Sequence, residues 1–200
     1  MSAASLPPGF YDRDSREVAR DLLGCILVHE SAEGTTAGTI VETEAYRPDD
    51  PACHAYENHG TLRNRSIFGP PGTAYVYLSY GIHNLLNLVC EPQEVGSAVL
   101  VRALRPVEGL ELMLARRGRE DLCAGPGKLT QALGVDLSYD SHDMSRAPLY
   151  VLPADGLDGE IVATTRIGIS RGTDLPWRYL VDGDPNVSVK PARASGLRAI

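Results

Sequence analysis

The sequence predicts an α+β fold in one mixed domain, dominated by antiparallel hairpins. Three observations predict it. Strand-like segments come in pairs joined by short turns. Helical segments with recognisable ends lie between those pairs instead of alternating with single strands. No internal repeat and no long linker divides the 200 residues, so residues 1–200 are expected to share one sizeable core.

Each element has its own signal. "DSREVARDLLG" (14–24) predicts a helix: Asp14 or Ser15 can cap it, Val18, Leu22 and Leu23 form a stripe, and Gly24 ends it. "CILVHE" and "AGTIVETEAY", separated by "SAEGTT", predict a hairpin. Residues 47–62 are polar, with proline and glycine, and predict a loop. "TAYVYLSYGIHNLLNLVC" predicts a second hairpin that turns between Ser79 and His83, and "SAVLVRAL" predicts a further strand. "RPVEGLELMLARRG" predicts a helix with Pro106 near its first turn, and "GPGKLTQALG" a short helix closed by Gly134. Residues 136–148 predict a solvated loop, and "LYVL", "VATTRIGI" and "RYLVDG" predict short final strands.

Composition narrows the class. Hydrophobic residues make up 43% and charged residues 22%, as in ordinary globular proteins. The four cysteines are scattered and form no CxxC pair, which argues against a zinc ribbon or disulfide framework and suits a reducing cytosol. "MSAASLPPGFYDRD" has no basic start followed by an apolar run, so no signal peptide is expected, and no apolar stretch approaches a membrane helix. The net charge of −7 argues against a nucleic-acid partner. Its distribution softens that: residues 131–160 carry six acids against one arginine, whereas residues 161–200 carry six bases against three acids. Arginine supplies 17 of the 19 cations, which favours bidentate phosphate contacts; a GC-biased genome would produce the same excess.

Chemistry concentrates in a few stretches. In "VETEAY" (41–46), an extended backbone puts Glu42, Glu44 and Tyr46 on one face. The two carboxylates would be about 6.5–7 Å apart, the separation of an inverting glycosidase pair. Projecting from one face of one strand, they cannot flank a scissile bond from both sides, and a solvated strand face explains the pair equally well. "DPACHAY" carries His54 on a loop, where a histidine is usually just exposed. In "GTAYVYLSYGIHN", Tyr75, Tyr77 and Ser79 share a face, as packed strand residues do. Tyr80 sits at the hairpin tip, where core packing explains it less well and where an apolar wedge can enter DNA from the minor groove. Asn87 in "NLLNLV" and Arg102 in "VLVRAL" are polar groups inside apolar strands; the first needs internal partners or a ligand edge, the second a carboxylate or phosphate. Gly125 to Lys128 opens a helix and gives at most a weak phosphate-site signal.

Taken together, "VETEAY", "DPACHAY", "RNRSIF", "PGTAYVYLSYG", "NLLNLV", "VLVRALRPVEGLE", "CAGPGKLTQALG", "RIGIS" and "VSV" resemble the alkyladenine (3-methyladenine) DNA glycosylase family of base-excision repair. The motifs run from about residue 40 to 190. The resemblance implies a curved antiparallel sheet with surrounding helices and a protruding β-hairpin that enters the minor groove. It implies Glu44 as general base, Arg102 near the base and the attacking water, and Tyr46, His54 and Tyr77 as walls around a flipped base. It implies Tyr80 as the intercalating wedge and Asn87 as the residue crowding guanine's amino group. Glu42 receives no role. The Tyr46 to His54 spacing is one residue shorter than the family pattern, which makes His59 a rival to His54, and the tip "GIHN" also differs.

The implied activity is hydrolytic release of 3-methyladenine, with hypoxanthine and ethenoadenine as further candidates, from double-stranded DNA. No cofactor, metal or membrane is expected, and the protein is expected to act as a monomer in the cytoplasm at the nucleoid. With only Lys128 and Lys190 present, neither in "VETEAY", water and not a Schiff base is expected to attack. A small-molecule nucleosidase and a non-catalytic damage binder are the rival readings.

Overall fold

The computed structural model describes residues 4–154, 156–191 and 198–199. Its organising element is the long strand β2 (Gly34–Tyr46), which runs antiparallel to β5 (Ala98–Glu108) along one edge. On the other edge β2 changes partner. Residues 34–39 pair with β1 (Ile26–Ser31), and residues 42–44 pair with β8 (Arg178–Val181). Beyond β5 the sheet continues through β4 (His83–Val89) to β3 (Ala74–Ser79). Beyond β8 lie β7 (Ile161–Thr164) and β9 (Arg198–Ala199), while β6 (Leu149–Leu152) pairs with β1. Every pairing is antiparallel, and register shifts in the β2–β5 ladder near Ala37 and around Ile40 to Thr43 curl the sheet.

The two faces of the sheet differ in kind. Val41 and Ala45 of β2, Val99 and Val101 of β5, Leu86 and Leu88 of β4 and Val76 of β3 join the main apolar core. α2 (Ser15–Asp21) covers that face through Val18 and Ala19, and the Thr43 hydroxyl donates to the Ala19 carbonyl at 2.7 Å. α4 (Pro126–Leu133) adds Leu129 and Leu133, and α3 (Leu110–Arg117) adds Met113. A short N-terminal turn, α1 (Pro8–Tyr11), places Tyr11 in the same core. Alternation then sends Tyr75, Tyr77, Asn87, Leu100 and Arg102 to the opposite face.

Several expectations need correction. The helix predicted over 105–118 begins only at Leu110, because β5 runs on to Glu108. Pro106 lies opposite Gly38 beside a register shift, a place where a strand accepts a proline. The strand-to-helix switch falls at Gly109, whose φ of 73° favours glycine and whose added Cβ would meet the Thr35 carbonyl at 2.3 Å. The strand predicted over 162–169 stops at Thr164, since Arg166 turns inward to a buried partner. The predicted loops contain single helical turns at Tyr56–Asn58 and Leu137–Tyr139, and another such turn lies at Arg65–Phe68.

Candidate active site

The polar face of the sheet opens into a cleft of about 780 Å³. Tyr46 from β2, His54 from the following loop, Tyr77 from β3, Asn87 from β4 and Arg102 from β5 all line it, with Tyr80 at the rim. Residues 167–171 form the remaining wall. His59 is exposed and absent from the lining, so of the two histidines it is His54 that faces the cleft.

Glu42 and Glu44 are not a solvated pair: both are wholly buried. Glu44 lies one layer below the cleft, joined to three of its lining residues. Its Oε2 accepts from the Tyr46 hydroxyl at 2.8 Å and from Arg102 Nη1 at 3.1 Å, and its Oε1 accepts from the Ile167 amide at 2.8 Å. An ionised carboxylate offers about four acceptor positions, so one remains. Glu42 does not line the cleft. It accepts from Arg102 Nε at 3.3 Å, Arg178 Nε at 2.6 Å, and the Ser188 amide and hydroxyl at 2.6 and 2.9 Å. Arg102 therefore spends two nitrogens on two carboxylates and reaches the cleft with the rest of its guanidinium. Burial works against the Arg102 charge, but Glu44 and Glu42 more than offset it and raise its pKa.

His54, Tyr75 and Tyr77 give the cleft an aromatic wall, and Arg63 and Arg171 line it as well. His54 Nδ1 lies 2.8 Å from the Tyr75 hydroxyl, and its ring meets Tyr77 edge-on at 4.5 Å between centroids. Tyr75 and Tyr77 follow at 5.4 Å. Desolvation, then Arg63, lowers the pKa of His54, and burial followed by the Glu44 charge pushes Tyr77 up to about 12. Asn87 is held from below, its Nδ2 donating to the Tyr75 carbonyl at 3.1 Å. Its Oδ1 has no partner among the described residues.

Tyr80 is different in kind. It is 92% exposed in the turn between β3 and β4, with a left-handed φ of 49°. Leu78 and Ile82 on either side are also exposed. The sequence reading placed it at the tip, and the tip has no core to join.

Sequence reasoning missed several contributors. Arg166 is buried, pairs with buried Asp50, and lies over the Tyr46 ring at 4.7 Å and Trp177 at 5.3 Å. Ile167 to Arg171 form a wall where a strand was expected. The only signal was the motif "RIGIS" itself, which carried no role. Arg178 and Ser188 were invisible as Glu42 partners because they lie 136 and 146 residues away. The cysteines Cys25, Cys53, Cys90 and Cys123 are free and buried, and among the described residues no helix is long and apolar enough to cross a membrane.

Comparison with known proteins gives the family. Residues 9–185 match the family model "Methylpurine-DNA glycosylase (MPG)". A protein of Rubrobacter xylanophilus named "Putative 3-methyladenine DNA glycosylase" is 63% identical over 178 residues, covering 88% of this chain and 93% of its own. Proteins of the same name from Methanoculleus marisnigri and Salinibacter ruber are 51% and 48% identical over 191 and 205 residues, covering 92% and 96% of this chain and 98% of each relative. A family match across most of the chain, and relatives this similar along nearly their whole length, place the chain in the methylpurine-DNA glycosylase family, the DNA-repair hydrolases of N-glycosyl bonds.

Proposed function

We propose that the protein excises 3-methyladenine from double-stranded DNA, and hypoxanthine and ethenoadenine with it, using a water that Glu44 activates. The observation that carries the proposal is a buried carboxylate with one acceptor position left, directly beneath a cleft of aromatic walls.

Reaching the sugar C1′ of a stacked nucleotide requires extruding it, at a few kcal/mol. Tyr80 takes the vacated place in the stack, and Tyr46, His54 and Tyr77 receive the base. A purine alkylated at a ring nitrogen is cationic, so π faces attract it by about 0.5–2 kcal/mol. It is also a good leaving group. Water oxygen bonds to C1′, Glu44 takes the proton, and the C1′–N bonding pair leaves with the base, neutralising a cationic purine; a neutral lesion departs as its anion and takes a proton from solvent. Arg102 holds Glu44 and the floor of the cleft in register. Asn87, unable to swing away from the Tyr75 carbonyl, crowds a purine that carries an exocyclic 2-amino group. Lys128 is paired with Asp121 and stands off the cleft lining, which supports hydrolysis over a Schiff base. It acts as a monomer, on nucleoid DNA in the cytoplasm.

The test is incubation with duplexes carrying single lesions, followed by alkaline cleavage at abasic sites. Strand breaks at 3-methyladenine but not at normal purines are expected. Faster cleavage of free nucleosides than of lesion duplexes would favour a nucleosidase, and a nucleosidase has no use for an exposed Tyr80.

A further inference from the structure

Arg166 is a buried charge that the reaction does not use. Its side chain is fully buried and so is that of its partner Asp50, whose Oδ1 accepts from Arg166 Nη2 at 2.9 Å while Oδ2 accepts from Nη1. Nη1 also donates to the Ala45 carbonyl at 2.9 Å. Nε has no acceptor among the described residues, and the guanidinium lies over the rings of Tyr46 and Trp177. Tyr46 lines the cleft and Arg166 does not, so the cation meets the Tyr46 ring from outside the cavity lining.

We propose that Arg166 sets how strongly the cleft prefers a cationic base over a neutral one. The inference rests on the reading that a flipped purine stacks on Tyr46. An aromatic ring has two electron-rich faces served by one π system. A guanidinium 4.7 Å from the ring centre polarises that system toward itself, and its charge is felt through the ring. A cationic purine on the open face then gains less than it would from a free tyrosine, while a neutral purine loses little. Asp50 supplies the counter-charge that limits the effect. The Arg166–Asp50 pair thus acts as a positioning device behind Tyr46, and it keeps neutral lesions competitive with charged ones.

The sign makes the proposal testable. Excision of 3-methyladenine (cationic) and of hypoxanthine (neutral) would be measured in single turnover on the full-length protein, or by duplex Kd where one is not turned over. The ratio of the two is the readout. The neutral pair Asp50→Asn/Arg166→Gln leaves no unpaired buried charge, and it should raise the ratio roughly twofold to thirtyfold, the range of one cation–π contact. Asp50→Asn alone removes the counter-charge and should lower the ratio. A purely structural role would slow both lesions together and leave the ratio unmoved. Should the neutral pair fail to fold, Arg166→Lys withdraws the flat stacked cation yet can still pair with Asp50, and it should raise the ratio at least twofold. Unchanged ratios overturn the proposal. A wild type that excises neither lesion overturns the reading on which it rests.

Discussion

Replacing Tyr80 with glycine should separate DNA binding from stability, moving the two in opposite directions. Tyr80 holds a φ of 49° and is 92% exposed, and a Cβ at neighbouring Gly81 would meet nothing within 4 Å. The turn therefore has almost no packing to lose. A non-glycine residue in the left-handed region costs about 1–2 kcal/mol, and glycine recovers that less its own extra backbone entropy of about 0.5–1 kcal/mol. The net is a gain of roughly 0–1.5 kcal/mol, or up to about 6 °C in Tm for a chain of this size. Binding should suffer, because one base–aromatic stack is worth about 1–3 kcal/mol. At about 1.4 kcal/mol per tenfold, Kd for a lesion duplex should rise roughly fivefold to 150-fold. Fluorescence anisotropy on a duplex carrying an uncleaved lesion measures the first quantity and thermal denaturation the second. Tyr80→Phe keeps the ring and should bind within about twofold of wild type. A Tyr80→Gly protein that melts several degrees lower yet binds normally would show that Tyr80 supports the fold and that the wedge lies elsewhere.

Four further outcomes are expected. Glu44→Gln should abolish excision while retaining lesion binding; near-normal single-turnover rates would move the general base elsewhere, with Glu42 next in line. Glu42→Gln removes a buried charge shared by Arg102 and Arg178 and should cost about 3–5 kcal/mol in urea denaturation, whereas a loss under 1 kcal/mol would contradict the hub seen at its carboxylate. Asn87→Ala should relax discrimination against guanine lesions, measured as the adenine-to-guanine excision ratio, and an unmoved ratio would remove Asn87 from the selectivity. Desolvation holds the pKa of His29 below 6.5, between the Leu133 carbonyl and the Tyr139 hydroxyl, so the unfolded state binds the extra proton first. Stability should then be full above about pH 6.5 and decline as pH falls through it, and His29→Gln should flatten the decline in urea midpoints.

Local chemistry and strand alternation were enough to read part of the site from residue order alone. Strand alternation put Glu44 with Tyr46, and Tyr75 with Tyr77, on the faces where the structure has them, because side-chain period is a property of the backbone. Asp14 caps α2 as its side chain accepts from the Arg16 amide, and Gly134 closes α4 in the left-handed conformation, both readable from residue type. The hairpin turn that exposes Tyr80 was legible for the same reason. Polar groups in apolar strands flagged Arg102 and Asn87, since a buried polar group must find a partner.

The identity of those partners belonged to the tertiary structure. Alternation could not say whether Glu42 and Glu44 face water or protein; the sheet curls, β8 joins β2 at residues 42–44, and both carboxylates are sealed. Arg166 read as a strand residue because its local pattern is β-like, yet a buried salt bridge to a residue 116 positions away turned it inward. Pro106 looked like a helix start because proline favours that position, and a register shift against Gly38 made it a strand residue instead. Burial and long-range charge pairing depend on which strands become neighbours. That choice is fixed by the free energy of the whole sheet, which no short window of sequence contains.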